Sequence, residues 1–107
     1  MSHPLLKQAL PEFADELRTL LEKDGQFELA EQVSNLHIID RCSCGETSCA
    51  TFYTVPKPKG AWGAGHENMI LDASEGLLVL DVVNGKIVCV EVLDRDDVRQ
   101  KLLNQMP

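Results

Sequence analysis

Aromatic side chains are scarce in this chain. One Trp, one Tyr and three Phe among 107 residues leave any core to be built from Leu, Val and Ile. Basic charge is scarce too. Ten Lys and Arg stand against 17 Asp and Glu, a formal charge of −7, and such a field repels phosphate backbones, so no nucleic acid is expected as a partner. The surplus is concentrated in residues 1–40, where eight acids (Glu12, Asp15, Glu16, Glu22, Asp24, Glu28, Glu31, Asp40) face three bases (Lys7, Arg18, Lys23). That imbalance keeps a helix face solvated, and it favours a basic protein partner.

Long apolar runs are also missing. The longest stretch of core apolar residues, 77–80, falls far short of the roughly 20 needed to cross a bilayer, and the proline-interrupted residues 4–11 do not form a secretory h-region. No membrane contact and a cytoplasmic location are therefore expected. Thiols stay reduced there, so four cysteines do not read as a disulfide framework. No phosphate loop, dinucleotide glycine fingerprint or Gly-x-Ser-x-Gly elbow occurs, and the acids form no paired-carboxylate motif. With no complete catalytic constellation, the chain reads as non-catalytic.

What is present suits one α+β domain over residues 1–107, a common domain size. Leu10, Phe13, Ala14, Leu17, Leu20 and Leu21 recur at helical spacing on one face. Pro11 suits the first turn of that helix and Gly25 the position just past its end. A second, shorter helix is expected over residues 26–34 with Phe27, Ala30 and Val33 inward, giving a helical hairpin over about 4–34. The period then changes to two. Strands are expected over residues 36–42, 50–55, 67–73, 77–83 and 86–93, an antiparallel sheet of about five strands in meander order spanning about 36–93. Asn84-Gly85 marks a type I′ hairpin between the last two strands. A C-terminal helix follows over about 95–104, with Asp94 as its cap and Asp96 and Asp97 in the first turn, where the helix dipole favours negative charge.

A two-residue turn pairs Val83 with Lys86, Val82 with Ile87 and Asp81 with Val88. One hairpin face then carries Leu78, Leu80, Val82, Ile87 and Cys89, the other Leu77, Val79, Val88, Val90 and Val92, with Asp81 the only charge. Both faces want cover: the N-terminal helices can supply one side, and the C-terminal helix, the long loop or a second subunit the other. A homodimer is the expected assembly, unless a bulge shifts the register.

The chemistry concentrates in RCSCGETSCATFYT, residues 41–54. Cys42, Cys44 and Cys49 form C-x-C-x4-C in a strand-turn-strand context. Thiolates suit a borderline-soft ion such as zinc. A tetrahedral site lacks one donor locally, and His37, His66, Cys89 and Asp40 are the candidates for it. Against this stands a plain packing role, because reduced cysteines behave as small apolar residues; a thiol-redox role, or a Cys-His pair using Cys44 or Cys49 with His66, is the remaining option. Cys89, within Val88-Cys89-Val90, reads as a buried structural thiol. Trp62 lies in PKPKGAWGAG, residues 56–65, the one loop long enough to serve function. Trp62 and His66 are the candidates there for partner or ligand contact, with folding back as a lid on the sheet as the alternative.

Two stretches resemble segments of small uncharacterised bacterial α+β proteins. GLLVLDVVNGKIVCVEVLD, residues 76–94, is similar to their C-terminal hairpins, and RCSCGETSCATFYT to their cysteine-bearing turns. The resemblance implies a bacterial, cytosolic origin and carries no activity. The sequence therefore points to an acidic, non-catalytic, homodimeric interaction or regulatory module, with two alternatives: a zinc-binding protein, and a thiol-redox protein or Cys-His enzyme.

Overall fold

The structure, a computed structural model, describes residues 3–105. The helical hairpin expected at the N-terminus is three helices: α1 (Leu6–Ala9), α2 (Pro11–Lys23) and α3 (Phe27–Gln32), the last running into a 3-10 turn at Val33–Asn35. The break comes at Leu10, whose φ of −134° and ψ of 67° leave the helical region. A residue before proline is disfavoured there, and Pro11 has no N–H to continue the ladder. Helix α2 stops at Gly25, which takes φ +75°, while the Gly25 and Gln26 amides bond the Glu22 and Leu21 carbonyls in a Schellman motif. In α3 the inward residues are Leu29, Ala30 and Val33, whereas Phe27, expected inward, is exposed.

Five antiparallel strands follow: β1 (Asp40–Arg41), β2 (Phe52–Tyr53), β3 (His66–Leu71), β4 (Leu77–Val83) and β5 (Lys86–Leu93). Their spatial order is β1-β2-β5-β4-β3, so the expected meander holds for β1–β2 and for β3–β4–β5 but breaks between β2 and β3. Strand β2 pairs with β5, not with β3. Strand β5 carries the densest run of buried residues, and pairing on both sides places it at the sheet centre. Phe52, fully buried, meets Phe13 edge-on at 6.1 Å and anchors β2 beside it. Strand β3, with Ile70 exposed, is left at the edge. The first expected strand is short for a related reason: the Leu36 carbonyl and Ile38 amide are engaged by Leu6 and Pro4, so only Asp40–Arg41 pairs with β2.

The hairpin turn forms as expected, with φ of 50° at Asn84 and 81° at Gly85, and Val83 and Val82 pair with Lys86 and Ile87. The register then shifts. Asp81 pairs with Cys89, not Val88, and Leu80 with Val90. Val88 is the extra residue of a β-bulge, and every side chain beyond it changes face. Val90 and Val92 turn to the helices with Leu78, Leu80, Val82 and Ile87, all in one core cluster. Cys89 and Glu91 turn to the second face beside Asp81. This corrects the two-faced apolar hairpin, since the second face is substantially polar.

Helix α4 (Asp96–Gln105) closes the same core with Val98 and Leu102. Arg95 fastens it: its guanidinium donates to both carboxylate oxygens of Glu16 at 2.7 Å and to Asp97 at 3.0 and 3.1 Å. Asp96 and Asp97 occupy the first turn as expected. Asp94, read as its cap, lies outside the helix at φ +58°, with its amide on the Ser48 carbonyl. Among the described residues, no helix is long and apolar enough to cross a membrane.

Candidate metal centre

The chain between β1 and β2 makes a tight turn that carries Cys42, Cys44 and Cys49. The Cys42 amide bonds the Thr51 carbonyl at 2.9 Å, and the Cys49 amide bonds the Glu46 carbonyl at 3.2 Å. Gly45, at φ +80°, reverses the chain between them. Cys49 also bridges to Leu93, so the turn is tied to the end of the central strand.

The three sulfur atoms lie within 4.8 Å of one another, all as free thiols. A zinc ion at Zn–S distances of about 2.3 Å in tetrahedral geometry separates its sulfurs by about 3.8 Å, so a small contraction of the turn suffices. The backbone is already arranged for thiolate. The Cys44 N–H points to the Cys42 sulfur and the Glu46 N–H to the Cys44 sulfur, and such outer hydrogen bonds orient and stabilise metal ligands. The exposed Cys44 thiol is lowered from its ordinary value, first by the Glu46 N–H and then by the Cys42 and Cys49 thiols. Cys42, half-buried, is raised, chiefly by burial. Three nearby cysteines of this kind could hold a metal ion. Arg41, Glu46 and Arg99 line the small hollow beside them.

The other candidate donors lie elsewhere. His66, at the start of β3, places Nε2 2.8 Å from an Asp81 carboxylate oxygen. His37 is exposed next to its bridge with Leu5, and lines a groove with Gln32, Thr54 and Lys86. Asp40 is 3.6 Å from Lys57 and accepts the Arg41 amide. Cys89 is buried, as expected, and its thiol is pushed well above its ordinary value, first by burial and then by Asp81. Among the described residues, the group whose donor atoms converge is Cys42, Cys44 and Cys49.

The second sheet face holds a separate polar cluster. Asp40, Tyr53, Cys89, Asp81 and Asn68 form one cross-strand row. Asp81 is 4% exposed, and one of its oxygens accepts from Asn68 at 2.6 Å and meets His66. A carboxylate this buried is tolerated because it is hydrogen-bonded. Glu91, two residues along β5 from Cys89, is pushed up to about 7 by its hydrogen bond with Asp81, then by burial and by the charge of Asp81. Trp62 is half-buried against this face, 6.2 Å from the Tyr53 ring and 6.4 Å from the His66 ring. Of these, Tyr53, Trp62, Asp81, Cys89 and Glu91 line an open hollow of about 380 Å³ that also reaches Cys42 and Cys49.

Sequence reasoning passed over Glu46 and the Asp81–Glu91 pair. Glu46 was legible as the residue two positions after Cys44 in the same turn. The carboxylate pair was not, because the bulge alone brings Glu91 to the face of Asp81. The chain matches no protein-family model, and no curated protein or solved structure matches it.

Proposed function

We propose that this is a small zinc-binding protein in which Cys42, Cys44 and Cys49 hold the ion. The observation that carries the reading is the convergence of three free sulfurs within 4.8 Å in a turn whose amides point at two of them. Soft thiolate donors select zinc over the hard cations, and a ligated turn pinned to β5 gives the ion a structural role. A reducing cytosol, which keeps the thiols available, suits this reading. Elemental analysis of the untagged protein tests it. One zinc per chain is expected, falling well below stoichiometry in Cys44→Ser; substoichiometric metal unaffected by that substitution overturns the reading.

A second reading, a non-catalytic interaction module that forms a homodimer, is favoured by one observation. Ile70, 72% exposed, and Leu77, 42% exposed, stand on strands β3 and β4 as large apolar side chains open to solvent. Both readings can hold together, since the thiols sit in the turn between β1 and β2 while Ile70 and Leu77 stand on β3 and β4, Leu77 being joined to that turn through Leu93, the partner of Cys49. Light scattering at micromolar concentration tests the assembly, and a monodisperse monomer overturns it.

A further inference from the structure

Three sulfurs leave a tetrahedral ion one donor short. The donors considered from the sequence are otherwise engaged or distant: His66 is held by Asp81, Asp40 lies by Lys57, Cys89 is buried beside Asp81, and His37 lines a different groove. The hollow at the sulfurs is small, about 40 Å³, and all three cysteines line it. Glu46 is the one carboxylate among the described residues that border it.

The backbone of Glu46 is already part of the site. Its N–H points to the Cys44 sulfur and its carbonyl accepts the Cys49 amide, so the residue is fixed at both ends between two sulfur ligands. Its side chain is exposed and makes no hydrogen bond or ion pair among the described residues, so swinging it inward breaks nothing. A carboxylate oxygen is an accepted zinc donor, at about 2.0–2.2 Å. Three thiolates and a carboxylate around a divalent ion leave a net charge of about −2 by formal counting, and Arg41 and Arg99 at the edge of the same hollow are placed to offset it.

We propose that Glu46 is the fourth ligand, closing the Cys42–Cys44–Cys49 site into a set of three sulfurs and one oxygen; this rests on the metal reading of the three cysteines. A closed sphere of four protein donors marks a structural zinc site, not one that keeps a position open for substrate.

Cobalt(II), bound by the full-length reduced protein in place of zinc, reports the sphere directly. Wild type gives a thiolate-to-cobalt absorption band at one ion per chain, unchanged when 2-mercaptoethanol is added. Glu46→Ala weakens cobalt affinity by at least about tenfold, since even outer-shell changes cost roughly 10–100-fold, and its opened position takes the added thiol with a shift of the band. Cobalt affinity and spectrum unaltered in Glu46→Ala overturn the assignment, as does a wild-type spectrum that responds to added thiol. A wild-type protein with no thiolate band overturns the metal reading itself, and the Glu46 assignment with it.

Discussion

Replacing Glu91 by Gln should stabilise the protein at pH 8 and much less at pH 5. Glu91 faces Asp81 of β4 and lies within the influence of His66 of β3, while Cys89 of its own strand and Tyr53 of β2 border the same hollow. Its carboxyl is raised from 4.5 to about 7, first by the hydrogen bond with Asp81, then by burial and by the charge of Asp81, with His66 opposing. For a carboxyl raised in the folded state, the folded protein holds a proton that the unfolded chain has lost. Stability is therefore highest below about 4.5, falls as pH rises through the window to about 7, and is flat above it. At about 1.36 kcal/mol per pH unit, the whole window corresponds to ~3 kcal/mol. Glu91 is only partly buried, and solvent screening reduces this to ~1 kcal/mol. Gln resembles the protonated acid at every pH, so the difference between variant and wild type isolates Glu91 from other titrating groups. Urea denaturation at pH 5, 6, 7 and 8, with reductant and chelator present, measures it. A gap that fails to open between pH 5 and 8, or a variant less stable than wild type at pH 8, refutes the argument.

Arg95→Met keeps an apolar stem near Phe13 but removes the guanidinium that binds Glu16 and Asp97. With Arg95 7% exposed, the loss should be ~3 kcal/mol, the lower end for breaking a buried pair because Glu16 is partly solvated; a urea-derived loss under ~1 kcal/mol counts against it. If the patch around Ile70 and Leu77 pairs two copies, Ile70→Lys should convert a species of twice the chain mass into monomer by light scattering. An unchanged mass in that variant places the interface elsewhere.

The parts of the fold that were legible depend on near neighbours in sequence. Helix α2 was readable from Leu10, Phe13, Ala14, Leu17, Leu20 and Leu21, because residues three and four apart share a helix face; five of the six are buried and Leu20 is partly buried against the same core. The Asn84-Gly85 turn was readable because its two central residues need positive φ. The C-x-C-x4-C turn was readable as three donors for the same local reason. Phe27 went the other way. Its spacing fits an inward face, but α3 buries Leu29 and Ala30 instead, a choice made by the neighbouring elements and not by the six-residue helix itself.

By itself, then, the sequence determined the helical N-terminal third, the last hairpin, the closing helix and the cluster of thiols in one turn. Tertiary structure alone decided that β5 lies between β2 and β4, that Val88 bulges, and that Glu91 therefore meets Asp81. It also decided that His66 serves Asp81 while Glu46 borders the sulfurs. The physical reason is the two-residue period of a strand. A shift of one residue in register reverses every side chain beyond it, and whether that shift occurs depends on burying Val90 and Val92 against helices distant in sequence.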